Sequence, residues 1–191
     1  MPQKIVYYAH LDAFTDEAFK GNPAAVCYLL APKDARWMQQ VAAEFNLSQT
    51  AFLVSEYDLR WFTPAAEVDL CGHATLATAH LLFASDVVKG TIIHFHTKSG
   101  ILPVHKVLGA DGEWEGKVEL NFPITVTSSC SPSLILPLTK TLRDVEVIFM
   151  GKTAAGHLLI ELSSADHLTY LIKATRWCSC NPRTFNLYYF Y

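Results

Sequence analysis

The chain has 191 residues, of which 51% are hydrophobic and 17% charged, with a formal net charge of −3 at pH 7. That composition buries a real core and excludes low-complexity disorder over most of the length. Lys and Arg are scattered rather than clustered, which excludes a nucleic-acid footprint and leaves a small molecule or another protein as the expected partner.

Met1 to Asp12 has no apolar stretch between a basic start and a small-residue cleavage site, so no secretory signal is read there. Lys4 to Phe14, rich in aromatic and β-branched residues, reads as an opening strand. Gly21-Asn22-Pro23 is a turn, and Ala24 to Leu30 reads as the next strand. A helix is expected from Asp34 to Glu44, with Trp37, Met38, Val41 and Phe45 on one face and the Asp34 carboxylate in its first turn. Ala51 to Ser55 and Leu59 to Thr63 read as two short strands.

His73 to Phe83 reads as a second helix, apolar on nearly every side and therefore enclosed by protein. The apolar run Ala74 to Ala84, broken by Thr75, Thr78 and His80, is too short to span a bilayer. Thr91 to Thr97 and Ile101 to Val107 flank Lys98-Ser99-Gly100, a hairpin signal, and Lys117 to Phe122 is one more strand. From Pro123 to Pro137 the composition shifts to Ser, Thr and Pro, which reads as a linker. Val145 to Phe149 and His157 to Leu162 are expected to form a second hairpin around Gly151 to Gly156. Lys173 to Tyr191 is an aromatic tail unlike the rest of the chain. Cys27, Cys71, Cys130, Cys178 and Cys180 are odd in number with no disulfide-framework spacing, which reads as reduced thiols in the cytoplasm.

Three segments carry the chemistry: Phe19 to Val26, Phe45 to Phe52 and Glu67 to Leu76. In the third, Gly72-His73 falls at the start of the enclosed helix, where free N–H groups and the macrodipole favour an anion. Glycine there lets a ligand approach the backbone, and His73 adds an imidazole able to carry charge. The alternative is that Gly72 serves only the helix entry and His73 caps or packs.

Gly-Asn-Pro-Ala-Ala-Val, Asn-Leu-Ser-Gln-Thr-Ala-Phe and Asp-Leu-Cys-Gly-His-Ala-Thr-Leu-Ala, in this order, resemble the phenazine-biosynthesis-like (PhzF-like) isomerases. That family is similar in fold to diaminopimelate epimerase and proline racemase. The resemblance covers Ile5 to Phe122, and more weakly extends to Leu171. It implies an α+β fold with a central helix wrapped by a mixed sheet, and two such domains with a substrate cleft between them. It also implies proton abstraction and reprotonation on a small carboxylate, without metal or organic cofactor.

The domains expected here are 1–123, complete, then a linker at 124–140, a fragment of a second domain at 141–172 and an atypical tail at 173–191. The chain thus reads as the family's N-terminal half with a truncated or altered C-terminal half. An exposed cleft face would favour a homodimer.

The family's general base is a glutamate after Asn-Leu-Ser, and that position here is Gln49. A carboxylate can be tuned to accept a proton near neutrality, whereas an amide only hydrogen-bonds. The substrate-binding set implied by the resemblance is Asn22, Ser48, Cys71, Gly72, His73 and Ala74, with Gln49 and His73 at the catalytic positions.

In the racemases of this fold a cysteine at the place of Cys71 is a thiolate base paired with a second cysteine. A helix start suits Cys71 to ionise, and the alternative is a small buried apolar residue. Glu67 and Asp69 are the nearest carboxylates that could replace the base. A competing metal reading places His94, His96 and His105 on one face of the hairpin. Cys178-Ser179-Cys180 is one short thiol pair, without the other two ligands of a structural zinc site.

Overall fold

The computed structural model describes residues 7–54, 57–122, 126–129, 146–153 and 158–164. Cys130, the tail at 173–191 with its Cys178-Ser179-Cys180 pair, and most of the linker stretch lie outside the described residues. The chain divides into two compact units, Met1–Phe122 and Pro123–Tyr191.

The first unit holds strands β1 (Tyr7–Ala13), β2 (Asn22–Leu29), β3 (Gln49–Val54), β4 (Asp58–Phe62) and β5 (Glu67–Val68). β6 (Ile92–Thr97), β7 (Gly100–Leu108) and β8 (Trp114–Leu120) follow, and the helices are α1 (Ala35–Phe45) and α2 (Gly72–Ala84). The sheet runs β1-β2-β3-β4-β6-β7-β8, with β5 paired to β4. Its two parallel pairs, β2 with β3 and β4 with β6, are those joined through a helix; the others are antiparallel.

Side-chain alternation sends β2 to β4 into two cores. One face carries Cys27, Leu29, Phe52 and Phe62 against Met38 and Ala42 of α1. Asp34 is the N-cap of that helix rather than a first-turn residue: its Oδ1 accepts from the Trp37 N–H at 2.7 Å. Asn46 closes α1 in a left-handed conformation, with φ of 51°.

The other face carries Ala24, Val26, Ala51, Leu53, Leu59 and Trp61, and it joins Ile93, Phe95, Leu102 and Val104 of the hairpin around α2. The helix buries Ala74, Thr75, Ala77, Thr78, Ala79, Leu82 and Phe83. Thr75 and Thr78 enter this core because their hydroxyls donate back to the Cys71 and Ala74 carbonyls, at 2.6 and 2.7 Å. α2 is therefore a central helix wrapped by a mixed sheet, and the fold is α+β.

β8 begins at Trp114, earlier than expected, and crosses Gly116 at a φ of 77°, next to a register shift at Val107/Leu108. The second unit carries a three-stranded sheet, β11 (Leu158–Leu162), β10 (Val147–Thr153) and β9 (Thr127–Ser129). Two expectations are corrected there. Gly151 is not in a turn but inside β10, opposite Leu159, where a Cβ would meet the Phe149 ring at 2.8 Å. Within the expected linker, Thr127–Ser129 pairs with β10.

Candidate functional site

The three motif segments meet at the N-terminus of α2. Parallel pairing sets Ala24 beside Gln49, which brings the start of β2 and the residue before β3 together. The Ser48 hydroxyl lies 3.1 Å from the Pro23 carbonyl and 3.4 Å from Asn22 Oδ1. It also lies 3.4 Å from Nε2 of His73, whose Nδ1 is 3.4 Å from the Cys71 sulfur. Asn22, Ser48, Cys71 and His73 thus form one connected set, with Gln49 following Ser48 and Ala74 buried in the first turn of α2.

The loop before Asn22 is built to hold it. The Phe19 N–H donates to Asp12 Oδ2 at 2.8 Å, and a Cβ on Gly21 would meet the Ala13 carbonyl oxygen at 2.5 Å. Only glycine fits that close approach.

Burial decides between the alternatives open at His73 and Cys71. His73 is not a cation at neutral pH, because loss of water pushes its pKa down to about 4, outweighing the Pro23 backbone, which acts the other way. Cys71, only 5% exposed, is not a ready thiolate. Desolvation pushes it up to about 12, outweighing the backbone N–H groups of Ala74 and His73. The site is therefore lined by neutral groups, and its positive character resides in the helix N-terminus.

A pH dependence follows for His73. Its folded pKa lies below the ordinary value of 6.5, so the unfolded chain takes up a proton first as pH falls. Stability is expected to decline between about pH 6.5 and 4 through this residue, and His73→Gln removes that part of the decline. Imidazole nitrogen shifts that stay flat from pH 8 to 5 check the assignment; a midpoint near 6.5 contradicts it.

The side-chain direction of Gly72 is filled by protein. A Cβ there would lie 2.6 Å from Cζ of Phe122. Phe122 reads in the sequence only as the end of a strand, since a glycine does not reveal which neighbour needs its missing side chain.

Glu67 is unsuited to replace the base. Its two oxygens accept from Arg60 Nε and Nη2 at 2.7 and 2.9 Å, and Lys98 Nζ approaches to 2.6 Å. The Arg60 guanidinium, with Lys98 adding to it, holds this carboxyl below the usual glutamate range. The Asp69 side chain is 82% exposed, 4.0 Å from Lys98, while its backbone carbonyl accepts from the Ser99 hydroxyl.

His94, His96 and His105 do share one face, opposite Pro103, Ile101 and Ile92 in the β6–β7 register. His96 pairs with Asp58 at 3.3 Å. Among the described residues no group of three or more His, Cys, Asp or Glu is placed to hold a metal ion. Also among them, no helix is long and apolar enough to cross a membrane.

The profile of the phenazine biosynthesis-like protein family matches residues 11–186, and the chain belongs to that family. The match runs past Leu171, where the resemblance in the motifs ended, into the aromatic tail. A protein of Halalkalibacterium halodurans described as an uncharacterized isomerase is 57% identical over 117 residues, 59% of this chain and 42% of its own. The crystal structure of a PhzF-family protein from Enterococcus faecalis matches with a TM-score of 0.63 at 36% identity, over 84% of this chain and 58% of its own. A hydroxyproline epimerase of Agrobacterium vitis shares the fold, with a TM-score of 0.51 at 10% identity over 88% of this chain and 54% of its own. The chain spans about half the length of the relatives it matches.

Proposed function

We propose that this chain binds a small carboxylate at the start of α2, in the manner of a cofactor-independent isomerase whose proton-abstracting position is occupied by Gln49. The observation that carries the reading is the convergence of Asn22, Ser48, Cys71 and His73 on one helix N-terminus that opens into neutral groups. Backbone N–H groups and the dipole attract an anion. Neutral His73 and Ser48 offer hydrogen bonds without adding a second charge. Proton removal next to an activated carbon of a small carboxylate, with reprotonation elsewhere, is the reaction the family resemblance implies.

Gln49 weakens that reaction at its first step, because an amide has no accessible protonation state that takes the proton. The related reading, a non-catalytic binding or regulatory protein, rests on the same residue. The proposal extends to the homodimer and to the domain division at 123, which sedimentation and limited proteolysis read directly.

Titration of the labelled chain with simple hydroxylated or unsaturated carboxylic acids tests the site. Amide shifts are expected to concentrate at residues 71–76 and around Ser48. Shifts that avoid those residues would remove the carboxylate site.

A further inference from the structure

Three buried side-chain polar atoms meet no hydrogen-bond partner among the described residues: Gln49 Oε1, Thr50 Oγ1 and Trp61 Nε1. The first and last are chemically complementary, and the register sets their residues on one face. Ala24, beside Gln49, and Ala51, two residues on, both face the core around α2. Strand alternation therefore turns Gln49 to that core, and Thr50 to the opposite face.

Ala51 pairs with Trp61 across β3 and β4, and Trp61 lies in the same core with Cys71 and Ala74. Gln49 and Trp61 are thus diagonal neighbours on one face, a separation of roughly 7–8 Å that long side chains bridge. Trp61 is 1% exposed, so water outside the fold does not reach its indole.

An indole N–H only donates, and a carboxamide oxygen only accepts. Burying both without partners is costly, and native folds rarely leave such groups unmatched. A carboxylate would serve only the indole, and an ammonium only the amide. A hydroxyl-type oxygen serves both at once.

We propose that Gln49 Oε1 and Trp61 Nε1 form a subsite for one hydroxyl-type oxygen, which accepts from the indole and donates to the carboxamide. Its occupant is an ordered water in the free protein, displaced by the hydroxyl of a hydroxy-acid held at the α2 N-terminus. The second part rests on the proposed function above. Gln49 is then a specificity-determining residue that reads a ligand O–H, in a position where a proton-abstracting carboxylate would read a C–H.

The test is ¹⁵N NMR of the whole chain, following the Trp61 indole signal, assigned by its loss in Trp61→Phe. In the free protein a cross-peak between that proton and water is expected. It should vanish in Gln49→Met and persist in Gln49→Glu, which keeps an acceptor. With ligand, 3-hydroxybutanoate should bind about five- to tenfold more tightly than butanoate, and Gln49→Met should erase the difference. The hydroxy-acid should also remove the water cross-peak.

An indole signal indifferent to Gln49→Met, with and without either acid, would overturn the subsite while shifts at 71–76 left the carboxylate reading standing. Acids that leave 71–76 unmoved would overturn the carboxylate reading and the displacement. The water cross-peak would then decide the subsite alone.

Discussion

Deuterium from heavy water is expected to enter candidate carboxylic acids no faster than background in the presence of the unaltered chain. Gln49 is the reason. It stands where the resemblance puts the glutamate, and the structure sets it beside Ser48 and Ala24 at the edge of the helix-start site. General acid–base assistance of this kind is worth about 10² to 10⁴ in rate.

The other titratable groups in reach do not supply it. Cys71 stays a thiol, His73 is too weak a base, and Glu67 is held by Arg60 and Lys98. Gln49→Glu should raise exchange by about that factor in a chain extended to the length of the relatives. In the 191 residues alone it should raise exchange far less. Rate gained from positioning and excluded water needs the opposing wall that the family fold implies. Exchange above background with the unaltered chain would mean that another group is the working base, and loss of that exchange in Cys71→Ser would name it.

The parts of this site legible in the sequence were those set by local chemistry. Gly21-Asn22-Pro23 reads as a turn and Gly72-His73 as a helix start by their own backbone demands, while Asn46-Leu47-Ser48 entered only through the family resemblance. Composition alone announced α2 as an enclosed helix, within a residue of its observed ends. Its threonines look polar in a list, yet they enter the core by returning their hydroxyls to the helix carbonyls.

What the sequence did not disclose depends on which residues pack around each group. His73 read as chargeable because an imidazole titrates near neutrality, and Cys71 as one alternative because a helix N-terminus favours thiolates. Burial by neighbours distant in sequence settled both as neutral. Gly72 did not reveal that Phe122 packs where its side chain would be. Thr127–Ser129 read as linker because three residues carry too little pattern to announce a strand. The diagonal placement of Gln49 relative to Trp61 needed the register, since eleven residues of chain lie between them.

Glu67→Gln is expected to lower stability by about 1–3 kcal/mol at neutral pH while leaving any solvent exchange unchanged. Glu67 is 16% exposed and holds Arg60 by two hydrogen bonds and Lys98 by a third contact, so it ties β5 to β4 and to the β6–β7 turn. Those ties fix the stretch from Val68 to Cys71 that delivers the start of α2. The amide keeps one acceptor and loses the charge that makes these bonds strong.

The pH dependence has a definite sign. The folded pKa of Glu67 lies below its ordinary value of about 4.5, so its contribution is complete above that value. It is lost as pH falls through the folded pKa, when the carboxyl is protonated in both states. Urea midpoints of the two proteins should therefore differ by a constant amount from pH 8 down to about 5, and then converge as pH falls further. A difference that persists undiminished through the acid range would assign the loss to packing. In the extended chain carrying Gln49→Glu, a fall in deuterium exchange on adding Glu67→Gln, with the fold intact, would return this carboxylate to the chemistry.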